Sequence, residues 1–241
     1  MNSNNHIVTS YEEELQDVSR MVTELGGLVE VALTESINAL VKQDSRLADR
    51  VIQTDRRADQ LFDEIEEAAI TLIARRQPLA QDLRDVVTAL RMANNLERIG
   101  DLAKNIAKRT RAIGNDMPSM ALVNGIQRLS ELVAQQLNKV LDSFSHNNSA
   151  LAEEVWLKDD HVDAMYTSIF REMLTYMMEN PRNITPCTHL LFCAKNIERI
   201  GDHATNLAET VYFKVEGERM KGVRPKQDHS IDVNVTSDEL S

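Results

Sequence analysis

The sequence predicts an all-α protein built as two tandem antiparallel three-helix bundles related by internal duplication. Three observations carry that prediction. Apolar residues recur at steps of three and four along successive long stretches, the spacing of amphipathic helices. Aromatic residues make up only 4% of the 241 residues, with 8 glycines and 5 prolines, which leaves little of what a sheet favours. Finally, the string Asn95-Leu96-Glu97-Arg98-Ile99-Gly100-Asp101-Leu102-Ala103-Lys104-Asn105 returns as Asn196-Ile197-Glu198-Arg199-Ile200-Gly201-Asp202-His203-Ala204-Thr205-Asn206. Core packing would fix the apolar positions of such a repeat, but here the polar ones recur as well.

Residues 1–9 are expected to be flexible. Leu15, Val18, Val22, Leu25, Val29, Leu33, Ile37 and Leu40 then trace a first helix to about Lys42, with Gly26-Gly27 marking a weak point or a close crossing. Asp44 or Ser45 can cap a second helix reaching Arg76. Pro78 restarts the chain into a third, carrying Leu83, Val86, Leu90, Leu96, Ile99 and Ile106 and ending near Gly114-Asn115. The series then repeats, with helices over about 119–146, Ser149 to Glu179, and from Pro186 to about Lys214. The expected organisation is a first bundle over 10–115, a second over 116–216, and a flexible polar tail over 217–241.

A net charge of −11 disfavours general binding to nucleic acid or anionic lipid. No run approaches the roughly 20 apolar residues of a membrane span, and the polar start lacks a signal-peptide core. Cys187 and Cys193 fall on different faces of a helix, so the expectation is two buried, reduced thiols in a cytoplasmic protein.

Residues four apart on a helix drift only about 40° around it. Glu97, Asp101 and Asn105 therefore form one oxygen-bearing strip, and Glu198, Asp202 and Asn206 another. The preceding helix of each half adds a pair, Asp55 and Asp59 in the first and Asp159 and Asp163 in the second. Acids stacked in this way repel unless a metal ion or a Lys or Arg lies between them. Oxygen-only donors suit Mg²⁺, Mn²⁺ or Ca²⁺, with iron as a further option, and the absence of Glu-x-x-His disfavours a ferritin-type centre. An ion-pair network with Arg98, Arg199, Arg56 and Arg57 would use the same residue types. His203 could add a nitrogen ligand in the second half alone, since Leu102 is its counterpart, and a plain structural histidine is the simpler reading. Gly100 and Gly201, each costing about 1 kcal/mol in mid-helix, imply close approach by a backbone or a ligand. Asp82, Arg84 and Asp85 crowd the start of the third helix, where the acids favour the dipole; capping is the main reading of this cluster and partner contact the alternative. No nucleophile–base pair or phosphate-cradling loop accompanies these acids.

The doubled (L/I)-E-R-I-G-D-x-A-x-N motif resembles that of the PhoU family of phosphate-uptake regulators, and Ala74–Arg84 is similar to that family's linker into the third helix. The resemblance covers about residues 10–215, and a close match to enterobacterial members is expected. Asn180–Thr188 departs from the linker pattern. The resemblance implies a cytoplasmic, often dimeric, metal-binding helical protein. It would couple the ATPase subunit of a high-affinity phosphate ABC transporter to a sensor histidine kinase and repress the starvation response when phosphate is plentiful. It also implies metal ligation (Mg, Mn or Fe) by Asp55, Asp59, Glu97, Asp101, Asn105, Asp159, Asp163, Glu198, Asp202 and Asn206. A metal-dependent phosphoester hydrolase and a purely structural helical module are the competing readings.

Overall fold

The computed structural model describes residues 3–114 and 119–222, almost entirely as helix. The first bundle comprises α1 (Ser3–Lys42), α2 (Ser45–Arg76) and α3 (Gln81–Ile113). The second comprises α4 (Met120–His146), α5 (Ser149–Trp156), α6 (Asp159–Glu179) and α7 (Ile184–Glu216), with a short 3₁₀ turn at Pro181–Asn183 ahead of α7. Duplication extends to the turn chemistry. Gln43 (φ 53°) ends α1 in the left-handed region, and the Asp44 side chain accepts the N–H groups of Arg46 and Leu47 at 3.0 Å each. Asn147 (φ 50°) and Asn148 do the same between α4 and α5, with acceptor distances of 3.1 and 3.3 Å. In both halves a left-handed residue closes one helix and an oxygen side chain satisfies the orphan donors of the next.

The bundles share one hydrophobic core, because α1 packs against α4 and α3 against α7. The α3–α7 pair is antiparallel: Arg84 meets Phe213, Asn95 meets His203, and Arg109 meets Phe192, in opposite chain order. Equivalent helices thus face each other across the seam, leaving α2 on one flank and α5 and α6 on the other. Leu25, Leu33, Leu96, Ile99, Ile126 and Leu129 are fully buried there, each contributing about 1.5–3 kcal/mol relative to exposure. Gly26 is a close crossing: a Cβ at that position would lie 2.7 Å from the Leu141 side chain on α4, whereas Gly27 faces open space.

The elements depart from expectation in four places. Helix α1 begins at Ser3, not near Ser10, since no glycine or proline between them stops propagation once the downstream turns exist. The stretch from Ser149 to Glu179 is two helices, broken at Leu157–Lys158. Leu83 is 39% exposed, since in the first turn of α3 it is Gln81 and Arg84 that contact the end of α7. Gly217 (φ 76°) ends α7, yet the chain that follows does not leave the protein at once: Met220 packs on the core and Gly222 approaches Trp156. The connector 115–118 and the tail beyond 222 lie outside the described residues.

Candidate functional site

Each bundle places an acidic patch on one helix–helix seam: α2 with α3, and α6 with α7. In the first, Asp55 on α2 is 9% exposed, and the Lys104 ammonium of α3 donates to Asp55 Oδ2 at 2.5 Å and Asp101 Oδ1 at 2.6 Å. Burial raises the Glu97 pKa above its ordinary value, and the Asp101 and Asp59 carboxylates push it further. Asp59 is raised for the same reasons, burial first and then Asp55, with Lys104 opposing. Burial works against the charge on Lys104, but its hydrogen bonds to Asp101 and Asp55 prevail and raise its pKa. Four carboxylates on two helices therefore share one electrostatic environment centred on an ammonium.

The arginines beside the motif contribute little. Arg98 is 57% exposed and reaches Glu97 at 3.4 Å and Asp101 at 3.9 Å, and Arg57 turns away to Glu24 and Glu64. Asn105 is exposed and is not hydrogen-bonded to the carboxylates.

The second patch is deeper. Asp159, Asp163 and Glu198 are 3%, 4% and 4% exposed, and Asp202 is half-buried beside them. Thr205 occupies the position that Lys104 has in the first copy, and its hydroxyl donates to Asp159 Oδ1 at 2.8 Å. A lysine is present here too, but from the other side of the motif: Lys195 Nζ donates to Glu198 Oε1 at 2.9 Å and lies 4.9 Å from the Tyr166 ring centroid. Glu198 Oε2 is buried with no hydrogen-bond partner. Burial raises the Glu198 pKa against the pull of Lys195, and Asp202 and Asp163 add to the rise. Asn206 is half-buried, and its backbone carbonyl accepts the Thr210 hydroxyl at 2.8 Å.

The break between α5 and α6 positions this patch. Gln136 of α4 donates to the Lys158 carbonyl at 3.2 Å, so that carbonyl serves a tertiary contact. Helix α6 restarts with Asp159 and Asp160 in its first turn, where the helix dipole favours negative charge.

These donors are hard oxygens suited to a divalent cation, and the two patches accommodate one differently. Among the described residues, no three His, Cys, Asp or Glu side chains converge closely enough to enclose an ion. In the first patch the Lys104 ammonium already joins Asp55 to Asp101, so an ion there would have to displace it. In the second, the orphaned Glu198 oxygen is an acceptor that the protein leaves unserved. Unpaired buried carboxylate oxygens are costly, and a cation is their natural complement. Lys195 already serves Glu198 Oε1 there, so what sets the second patch around Asp159, Asp163, Glu198 and Asp202 apart is a buried carboxylate oxygen without a hydrogen-bond partner.

Some sequence-level readings change with the geometry. His203, part-buried beside Asp202, reaches the other copy of the motif: its Nδ1 lies 2.9 Å from Asn95 Oδ1, joining the two copies across the bundle seam. A Cβ on Gly201 would meet Val162 Cγ1 at 3.2 Å, so close approach holds there, but on Gly100 it would meet Val29 at an ordinary 3.6 Å. The charges at the start of α3 are more than a cap. Ala80 precedes that helix with φ 49° and no side-chain cap, while Gln81 donates to the Lys214 carbonyl at 3.3 Å and Arg84 stacks on Phe213 at 5.5 Å. These residues clamp the start of α3 to the end of α7. Sequence reasoning missed Lys104, Lys195 and Thr205. The signal available was spacing, since Lys104 follows Asp101 by three and Lys195 precedes Glu198 by three, one helical turn in each case. Cys187 and Cys193 are buried free thiols, as their helical spacing implies.

Comparison with known proteins matches residues 22–110 and 126–211 to the PhoU domain. The chain is 50% identical over 226 residues to the phosphate-specific transport system accessory protein PhoU homolog of Rhizobium meliloti, covering 94% of this chain and 95% of that one. An enterobacterial relative, the accessory protein PhoU of Serratia marcescens, is 38% identical over 221 residues, covering 92% of this chain and 90% of its own. The crystal structure of PhoU from Pseudomonas aeruginosa superposes with a TM-score of 0.82 at 35% identity, covering 86% of this chain and all of that one (100%). Among the described residues, no helix is long and apolar enough to cross a membrane.

Proposed function

The chain belongs to the PhoU family, and on that premise we propose that it is a non-catalytic accessory regulator of phosphate transport whose two carboxylate patches hold hard metal ions. The names of its relatives tie those proteins to a phosphate-specific transport system, and the proposed partner is accordingly the ATPase subunit of a phosphate ABC transporter. A sensor histidine kinase is the second proposed partner. The protein would act in the cytoplasm to keep that kinase from triggering the starvation response while phosphate is abundant.

The observation that carries the metal reading is Glu198 Oε2, buried and without a hydrogen-bond partner among Asp163, Asp202 and Asp159. The second patch would hold the ion through Asp159, Asp163, Glu198 and Asp202, with Asn206 next in line on the same strip. The first would use Asp55, Asp59, Glu97 and Asp101, with Asn105 at its exposed end, once Lys104 had moved aside. An ion of the Mg²⁺, Mn²⁺ or iron type supplies positive charge that offsets the repulsion of the stacked acids. The chain's own residues do the rest: they hold α6 against α7, and α2 against α3, in one register.

Deleting the gene should raise phosphate-starvation transcripts in phosphate-replete medium. Wild-type protein should restore silence, and the double variant Glu198→Gln, Asp202→Asn should restore it poorly. Transcripts that stay silent in the deletion strain would contradict the regulatory reading. Full restoration by the double variant would contradict the role given to the second patch.

A further inference from the structure

A cavity of about 410 Å³ opens where α3, α7, the end of α5 and the turn after α7 meet, and none of the patch carboxylates lines it. Its wall is aromatic, formed by Trp156 at the end of α5 and Phe213 on α7. Two guanidiniums stand at it, Arg91 from α3 and Arg219 from the turn. Among the described residues neither is ion-paired with a carboxylate. The Arg91 guanidinium instead lies 5.7 Å from the Phe213 ring centroid. The carboxylate that does line the cavity, Glu209, accepts the Trp156 indole N–H at 3.0 Å through Oε1. That bond fixes the indole plane and leaves the second Glu209 oxygen available as an acceptor. The Thr210 hydroxyl donates to the Asn206 carbonyl, so it too offers the cavity lone pairs.

From this arrangement we infer that the cavity is a binding site for a purine nucleotide. The volume is that of a small-molecule pocket. A chain of net charge −11 has no general shortage of carboxylates, so two arginines without one mark a place kept for an outside anion. Guanidinium forks match phosphate oxygens in paired hydrogen bonds. Trp156, largely buried, and Phe213, whose ring also carries the Arg84 and Arg91 guanidiniums, give a base an aromatic wall, and the acceptors on Glu209 and Thr210 suit the exocyclic amine of a purine. The bound molecule would bridge the two bundles, since Arg91 belongs to the first and every other lining group to the second or to the turn after it.

The chain has a single tryptophan, and it lines this cavity, so intrinsic fluorescence reports on the site directly. Full-length protein is titrated with ATP, AMP and inorganic phosphate, using red-edge excitation where the base does not absorb, with calorimetry in parallel. The expected result is saturable quenching by the nucleotides and much weaker binding of inorganic phosphate. Arg91→Gln and Arg219→Gln should each weaken nucleotide binding by at least about tenfold, the scale of one lost charge-assisted contact. Arg219 is exposed, so its substitution leaves folding intact. Three results would each overturn the inference: no saturable signal with either nucleotide, inorganic phosphate binding as tightly as ATP and AMP, or unchanged affinity in both arginine variants.

Discussion

Replacing Lys104 with methionine separates a metal-ready patch from a plain ion-pair cluster. The side chain keeps most of its length and apolar stem but loses the ammonium that donates to Asp55 at 2.5 Å and Asp101 at 2.6 Å. Asp55 is then left uncompensated at 8% side-chain exposure, with Asp59, Glu97 and Asp101 nearby. Removing one partner of a fully buried pair costs about 3–5 kcal/mol. Lys104 is 19% exposed and Asp101 34%, so water screens part of this, and about 2–3 kcal/mol is expected. Urea denaturation in a chelating buffer measures it. The same experiment in millimolar Mn²⁺ or Mg²⁺ should recover most of the loss, because the ion can take the vacated position. Binding at about 100 times Kd would return about 2.7 kcal/mol. A variant as stable as the parent in chelator would refute the electrostatic reasoning. A destabilised variant that the cation fails to rescue would refute the claim that these acids suit an ion.

Further expectations follow from the same geometry. Glu198 has a folded-state pKa raised above its ordinary 4.5, so the native state keeps a proton that the unfolded chain releases. In chelator its contribution to stability should fall as pH rises from about 4.5 through the folded value, and Glu198→Gln should flatten that slope in urea midpoints taken across the acid range. A parent protein whose midpoint rises over that window would go against this. Gly201→Ala should destabilise by about 1–2 kcal/mol, because the new methyl meets the stiff β-branched Val162 at 3.2 Å. Gly100→Ala meets only ordinary contacts and should gain up to about 1 kcal/mol from helix propensity, so equal effects at the two sites in thermal melts would be inconsistent with the packing. Burial pushes the Cys193 thiol up to about 12, so it and Cys187 should resist alkylation in native protein and react fully in denaturant. Rapid labelling without denaturant would show the core to be open.

The helices could be read from the chain because each bears a long apolar stripe and its boundaries carry local chemistry. Asp44, Asn148 and Gly217 are such markers, all of them visible in sequence. The break at Leu157–Lys158 has no such marker. No glycine or proline stands there, and the Lys158 carbonyl accepts both the local His161 N–H and the Gln136 amide of a different helix, a contact that local sequence does not signal. The acidic residues of both patches were likewise legible from spacing, since four steps along a helix return to one face. The cations that neutralise them were not. Arg98 and Arg199 sit inside the motif and draw attention, yet both project outward, while Lys104 and Lys195 lie one turn away and point in. Which of two neighbouring cations meets an acid depends on where the adjacent helix lies. The antiparallel docking of α3 on α7 was beyond reach for the same reason: it rests on pairs such as Asn95 with His203, and the repeat gives no sign that its two copies touch.

The most direct test of the central claim is the metal content of the full chain purified without chelator and reconstituted with Mn²⁺, measured by elemental analysis beside Glu198→Gln, Asp202→Asn and Asp55→Asn, Asp101→Asn. The expected result is metal bound stoichiometrically by the parent and lost from the second patch in the first double variant. Retention of the parent's full stoichiometry by both double variants, or its absence from the parent after reconstitution, would contradict the assignment of these carboxylates to an ion.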